Sequence, residues 1–206
     1  MEILPINLDE HRIKMQNEFE PQDFSISMIR AESKWILFAM IILFPILCIR
    51  ARSWGMLAAE VVFTICILIV SVLDLRYGMI FDKFLLPMGI LAIGFSLAGF
   101  IIPLHRGIIA AILGYLLLFI VRIVSSGGLG GGDVKFAFVL GLWLGGKGLI
   151  VALFLAFTVG TVASLIFALK FRSLKIAIPF APFLSLGAEL AFLYQRELIE
   201  IYRSFW

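Results

Sequence analysis

From Trp35 onward the chain alternates long apolar runs with short polar breaks. A helix that crosses a bilayer needs about 20 apolar residues. The runs predict spans at about 35–50, 55–74, 84–103, 107–125, 134–145, 148–169 and 177–194. The fifth is too short to cross a hydrocarbon core of about 30 Å. It reads as a partial span joined to the sixth through Gly145, Gly146 and Gly148. The breaks carry turn and charge signals: Pro103–Arg106, a glycine run at 127–132, and Lys170–Lys175. The expected fold is an all-α, polytopic transmembrane helical bundle of seven spans, with six as the alternative. Residues 1–34 read as a polar N-terminal tail, 35–196 as the transmembrane domain and 197–206 as a C-terminal tail. Within the first tail, Phe24–Ile29 is an apolar island suited to lying on a membrane surface.

Composition narrows the class. The 206 residues are 62% apolar and 15% charged, with 20 Phe, against about 45–50% and about 25% in soluble domains. Mean hydropathy is +1.09. A soluble enzyme, a disordered chain and a disulfide-stapled secreted module are excluded. The net charge of +3 is spread between apolar blocks, so no basic cluster suits nucleic acid. Cys48 and Cys66 sit inside apolar runs without metal-ligand spacing and read as small buried hydrophobes. Residues 1–34 hold seven acids and no signal-type apolar core.

Cation placement predicts orientation. With residues 1–34 cytoplasmic and seven alternating spans, the cytoplasmic side holds 11 Lys and Arg against 6 on the other. The breaks at 75–83 and 126–133 then face the cytoplasm.

Seven of the 14 acids lie in the N-terminal tail, and Glu197 and Glu200 in the C-terminal one. Glu60, Asp74, Asp82, Asp133 and Glu189 remain in or beside spans. An Asp at a membrane helix centre costs about 2.5–3.5 kcal/mol on insertion scales, so such acids face a partner or a polar cavity and mark function. Asp74 ends the second span; its bland reading is an interfacial acid paired with Arg76 or water. Asp133 follows the glycine run and precedes Val134-Lys135; its bland reading is a helix N-cap. Glu60 and Glu189 read as hydrogen-bonding neighbouring spans, and His11 and His105 as solvated.

Five glycines in the six residues 127–132 are costly in backbone entropy. No Gly-Lys-Ser/Thr follows, so a phosphate-binding loop is excluded. A side-chain-free stretch leading into a carboxylate lets another peptide backbone approach closely; a plain hinge is the rival reading. Two carboxylates at the same end of different spans, if they converge, share one proton. One then takes a proton from an attacking water while the other polarises the carbonyl and later protonates the leaving amine. This is aspartic-protease chemistry and needs no metal or cofactor. Lys135 either favours the ionised form of the pair or snorkels to the headgroups.

Gly130-Gly131-Gly132-Asp133-Val134-Lys135 resembles the GxGDxK motif of the type IV prepilin peptidases, the GxGD aspartyl proteases of the inner membrane. Asp74-Leu75-Arg76-Tyr77-Gly78-Met79-Ile80-Phe81-Asp82 is similar to their D-x6-P-[N/D] pattern, with Phe81 where proline is usual. Ile178-Pro179-Phe180-Ala181-Pro182-Phe183-Leu184 resembles their IPFGPFL segment, with Ala181 replacing glycine. The similarity covers about residues 50–190. It implies that Asp74 and Asp133 are catalytic, and that Gly130, Gly131, Gly132, Lys135 and Asp82 bind substrate or shape the loop. It implies a peptidase domain over residues 35–196. It also implies removal of the leader from type IV prepilins or type II secretion pseudopilins, substrates with a basic leader and an apolar helix in the lipid bilayer. Many members also carry two C-x-x-C pairs and N-methylate the new N-terminus with S-adenosylmethionine. No C-x-x-C occurs in this chain, so no metal is expected, and S-adenosylmethionine enters only if methyltransferase activity is retained. Two other readings stay open: a small ion- or proton-coupled transporter using the paired Asp residues, and a GxGD protease acting on another single-span substrate such as preflagellin.

Overall fold

The computed structural model describes residues 53–171 and 179–204, with 43, 45 and 47–49. Five helices follow one another in this stretch: α1 (Trp54–Tyr77), α2 (Asp82–Leu97), α3 (Leu104–Val124), α4 (Gly131–Phe171) and α5 (Ala181–Ser204). They fall on the predicted spans from the second onward, but α2 ends at Leu97, short of the end at 103 predicted for its span. The first, at 35–50, and the tail at 1–34 lie outside the described residues, apart from 43, 45 and 47–49, which are helical. Helix α5 runs past 194, the predicted end of the last span, because Glu, Leu and Arg in 195–204 sustain a helix beyond the apolar window.

Helix boundaries follow local chemistry. The Ser53 side chain accepts the Met56 N–H at 3.2 Å and caps α1. At the other end Gly78, with φ 63°, donates its N–H to the Asp74 carbonyl at 2.8 Å, the left-handed geometry that glycine adopts without a Cβ penalty.

Helix α4 is two arms. Gly145 breaks it with φ 66° and ψ −178°. A Cβ placed on Gly114 would lie 2.6 Å from the Leu149 side chain and 3.3 Å from the Ala137 carbonyl. Residues 137 and 149 would stand about 18 Å apart along a straight helix, so the chain folds back at Gly145. The predicted partial span, joined to the next through glycine, is this first arm.

The first arm packs antiparallel to α3 through small residues. A Cβ on Gly141 would lie 2.5 Å from Ala111 Cα and N, and one on Gly107 2.9 Å from the Leu142 carbonyl. Close backbone approach of this kind drives helix association in lipid, where water supplies no hydrophobic force. The second arm packs on α5, where Gly187 lies against the Ala152 carbonyl.

Aromatic rings fill the centre. Trp143 is 1% exposed, 5.2 Å from the Phe63 ring and 5.7 Å from that of Phe95. Its indole N–H donates to the Met88 carbonyl at 3.1 Å, tying α2 to the first arm. Trp143→Phe keeps most of the ring and loses this bond, at an expected cost of about 1 kcal/mol, read as a lower Tm in detergent.

Large apolar side chains also cover the outside, among them Leu86, Ile150 and Phe154. Three of the described helices are long and apolar enough to cross a membrane, and Ala181–Tyr194 is a shorter apolar segment. The fold is that of a membrane protein. Its apolar exterior corrects one expectation: Cys48 is exposed and Cys66 only half-buried, since an apolar run in a membrane bundle need not face the interior.

Candidate active site

Three helix ends and one loop meet at the same end of the bundle. Asp74 stands in the last turn of α1 and is buried. Its Oδ2 accepts the backbone N–H of Ala181, the first residue of α5, at 3.0 Å. A helix N-terminus carries amides without partners inside the helix and a positive partial charge, so it suits a carboxylate. This contact explains the placement of Pro179-Phe180-Ala181-Pro182: Pro182 takes an early helical position, where a missing N–H costs nothing, and leaves the Ala181 amide for Asp74.

Asp133 is likewise buried. The expectation of an N-cap is corrected by its position. Helix α4 starts at Gly131, so Asp133 is its third residue rather than the residue before it. Its carboxylate folds back and accepts the Gly130 N–H, the half of a capping box in which the third helical residue reaches the N-cap amide. Its Oδ1 is buried and meets no hydrogen-bond partner among the described residues. The Asp74 carboxylate lies near enough for its charge to act on Asp133. The structure thus brings together two acids 59 positions apart in the chain.

The glycine run divides between two jobs. Gly127, with φ 86°, turns the chain out of α3. Gly131 and Gly132 belong to the first turn of α4 and make room. A Cβ on Gly132 would lie 2.7 Å from Ile80 Cβ, and one on Gly131 would meet the Arg122 guanidinium. The loop after Asp74 therefore closes directly onto the turn that carries Asp133. A Cβ on Gly130 would lie 2.8 Å from Asp133 Oδ2; a side chain there would crowd the carboxylate.

Asp82 and Lys135 stand apart from the buried acids. Lys135 Nζ pairs with Asp82 Oδ2 at 2.6 Å, both side chains more than half exposed. Lys135 thus joins α4 to the start of α2. Sequence reasoning missed Ala181, Ile80 and Arg122 as neighbours of the site. Only the two prolines around Ala181 signalled that its amide is special. Glu189 does hydrogen-bond a neighbouring helix, through Thr64 of α1.

Similarity to known proteins agrees with this geometry. The chain is 34% identical over 149 residues to a prepilin leader peptidase/N-methyltransferase of Bacillus subtilis, covering 69% of this chain and 58% of that protein. It is 28% identical over 200 residues to the protein of that name from Xanthomonas campestris, covering 88% and 69%. The Aeromonas salmonicida protein of the same name is 30% identical over 158 residues, covering 74% and 54%. The chain thus spans a little over half to two thirds of the length of these relatives. No solved structure shows a significant match. A family model for type IV leader peptidases matches residues 61–165, a stretch that includes Asp74, the glycine run and Asp133. By that match the chain belongs to the type IV leader peptidase family.

Proposed function

We propose that this chain is a membrane aspartyl endopeptidase with Asp74 and Asp133 as its catalytic pair. It removes the leader of type IV prepilins or type II secretion pseudopilins at the cytoplasmic face of the inner membrane. The observation that carries the reading is the buried Oδ1 of Asp133, without a hydrogen-bond partner among the described residues, beside a second buried carboxylate. Buried polar atoms are nearly always satisfied, so an orphan at this place suits a water or a substrate carbonyl.

With one proton between them, the pair hydrolyses an amide. The ionised carboxylate takes a proton from water as its oxygen attacks the scissile carbonyl, and the other carboxyl protonates the carbonyl oxygen. Collapse of the tetrahedral species returns that hydroxyl proton and releases the amine, which takes up the proton first removed from water. The products are an acid and an amine, and no cofactor enters. The two acids act as a unit. Gly130, Gly131 and Gly132 shape the loop from within: the Asp133 carboxylate, Arg122 and Ile80 stand where their side chains would be. The proposal covers cleavage alone: S-adenosylmethionine belongs to the methyl transfer in the relatives' names. The orientation that puts residues 1–34 and the site end in the cytoplasm fits a substrate whose basic leader is cytoplasmic and whose apolar helix lies in the bilayer.

Co-expression of the full chain with such a prepilin tests the reading. The expected result is a faster-migrating product whose new N-terminus begins just before the apolar stem. An uncleaved substrate beside folded, inserted protein, or ion flux in proteoliposomes without cleavage, would overturn it. In the same assay Asp82→Asn retains much of the activity. An exposed ion pair contributes about 1 kcal/mol at most, so the expected loss is within about fivefold.

A further inference from the structure

Helices α1 and α5 meet along a seam that includes three polar contacts. Thr64 Oγ1 lies 3.0 and 3.2 Å from the two oxygens of Glu189. Ser185 Oγ donates to the Ile67 carbonyl at 3.2 Å. The Ala181 N–H donates to Asp74 Oδ2 at 3.0 Å. Positions rise along α1 as they fall along α5, so all three belong to one antiparallel register. Thr64, Ser185 and Glu189 are buried in a setting where a polar side chain must find a protein partner.

The far side of α5 is held differently. Gly187 lies against the Ala152 carbonyl and Gly160 faces Phe183. Such packing sets how close the helices come. Hydrogen bonds depend on distance and angle and fail beyond about 3.5 Å, so they discriminate between axial positions. Sliding α5 by one residue moves it about 1.5 Å, enough to take the Ala181 amide out of reach of Asp74.

We infer that Thr64, Ser185 and Glu189 are positioning residues, which hold α5 at the axial register where its first amide reaches the Asp74 carboxylate. They touch no substrate; they act through α5. The inference rests on the cleavage reading for its kinetic effect, though not for the contact itself.

Two readouts on the purified full-length protein test it. Hydrogen exchange of the peptide spanning residues 179–184 reports the Ala181 amide without reference to activity. Thr64→Val and Glu189→Leu are expected to speed that exchange about tenfold. Cleavage of a prepilin reporter gives the second readout. In both variants kcat falls about 10²-fold, the loss expected from misplacing a reacting group by about 1 Å, while KM stays within about twofold. Thr64→Ser and Glu189→Gln, which keep the hydrogen-bonding groups, restore both readouts. Phe192→Leu, also on α5, trims the stacked contact with Phe63 of α1, removes no hydrogen bond and leaves kcat unchanged. If Thr64→Val or Glu189→Leu does not fold, Ser185→Ala decides: faster exchange at 179–184 supports the inference and unchanged exchange overturns it. Wild-type exchange in the folded Val and Leu variants, or an equal loss of kcat in Phe192→Leu, also overturns it. Wild-type protein that does not cleave the reporter sinks the cleavage reading, and the exchange result still judges the register.

Discussion

Asp133→Asn and Asp74→Asn are each expected to abolish leader removal while the protein still inserts and folds. Asparagine preserves the shape of aspartate and one acceptor oxygen. The Gly130 N–H can still be accepted at position 133 and the Ala181 N–H at position 74, so the turns around both acids remain. What is lost is the ability to exchange a proton with water or with a leaving amine. General acid–base catalysis contributes about 10²–10⁴-fold per group, and two groups acting as a unit fail together. The expected processing is below detection in a gel shift of co-expressed prepilin, with normal amounts of protein in the membrane fraction. Processing at the wild-type rate by either variant refutes the assignment.

Gly141→Val removes most of the folded protein. A Cβ at this position would lie 2.5 Å from Ala111 Cα and N and 2.7 Å from the Ala110 carbonyl carbon. These are backbone atoms of α3, and no rotamer change relieves the clash. Helix α3 and the first arm of α4 must separate along the seam that also uses Gly107 and Gly114. Overpacking a fitted interior costs about 1–3 kcal/mol, and here the lost backbone contacts of several neighbouring residues add to it. The first arm carries Asp133 at its start, so activity falls with the fold. Size-exclusion chromatography in detergent after a heating series measures the effect. A monodisperse protein with wild-type Tm would show that the two helices have slack at this point. Gly141→Ala brings the same Cβ and is expected to give a smaller drop of the same sign.

The spans were legible because the physics that makes them is local. About 20 apolar residues in a row are read without knowing any contact, and the break at Gly145 announced itself through Gly145, Gly146 and Gly148. The two acids stood out for a related reason, since charge beside an apolar run carries a known cost. What escaped was pairing across the chain. Nothing near Lys135 in the sequence points to Asp82, 53 positions earlier, and nothing near Asp74 points to a backbone amide 107 positions later. The start of α4 was misplaced by about three residues because glycine is a poor helix former. Tertiary contact overrides that preference: Gly131 and Gly132 are tolerated in the first turn because Arg122 and Ile80 occupy the space a side chain would need. Cys48 was misjudged because outward and inward faces are equally apolar in a bilayer.

Helix α2 has 16 residues and the first arm of α4 has 14, from Gly131 to Leu144. At 1.5 Å per residue they reach about 24 and 21 Å, short of a hydrocarbon layer of about 30 Å. The two lie side by side, joined by the Trp143 bond to Met88. Lipid around short helices thins to match them. A bilayer thinned in this way would bring headgroups and solvent inward over this flank, shortening the path of water to the proposed cleavage site.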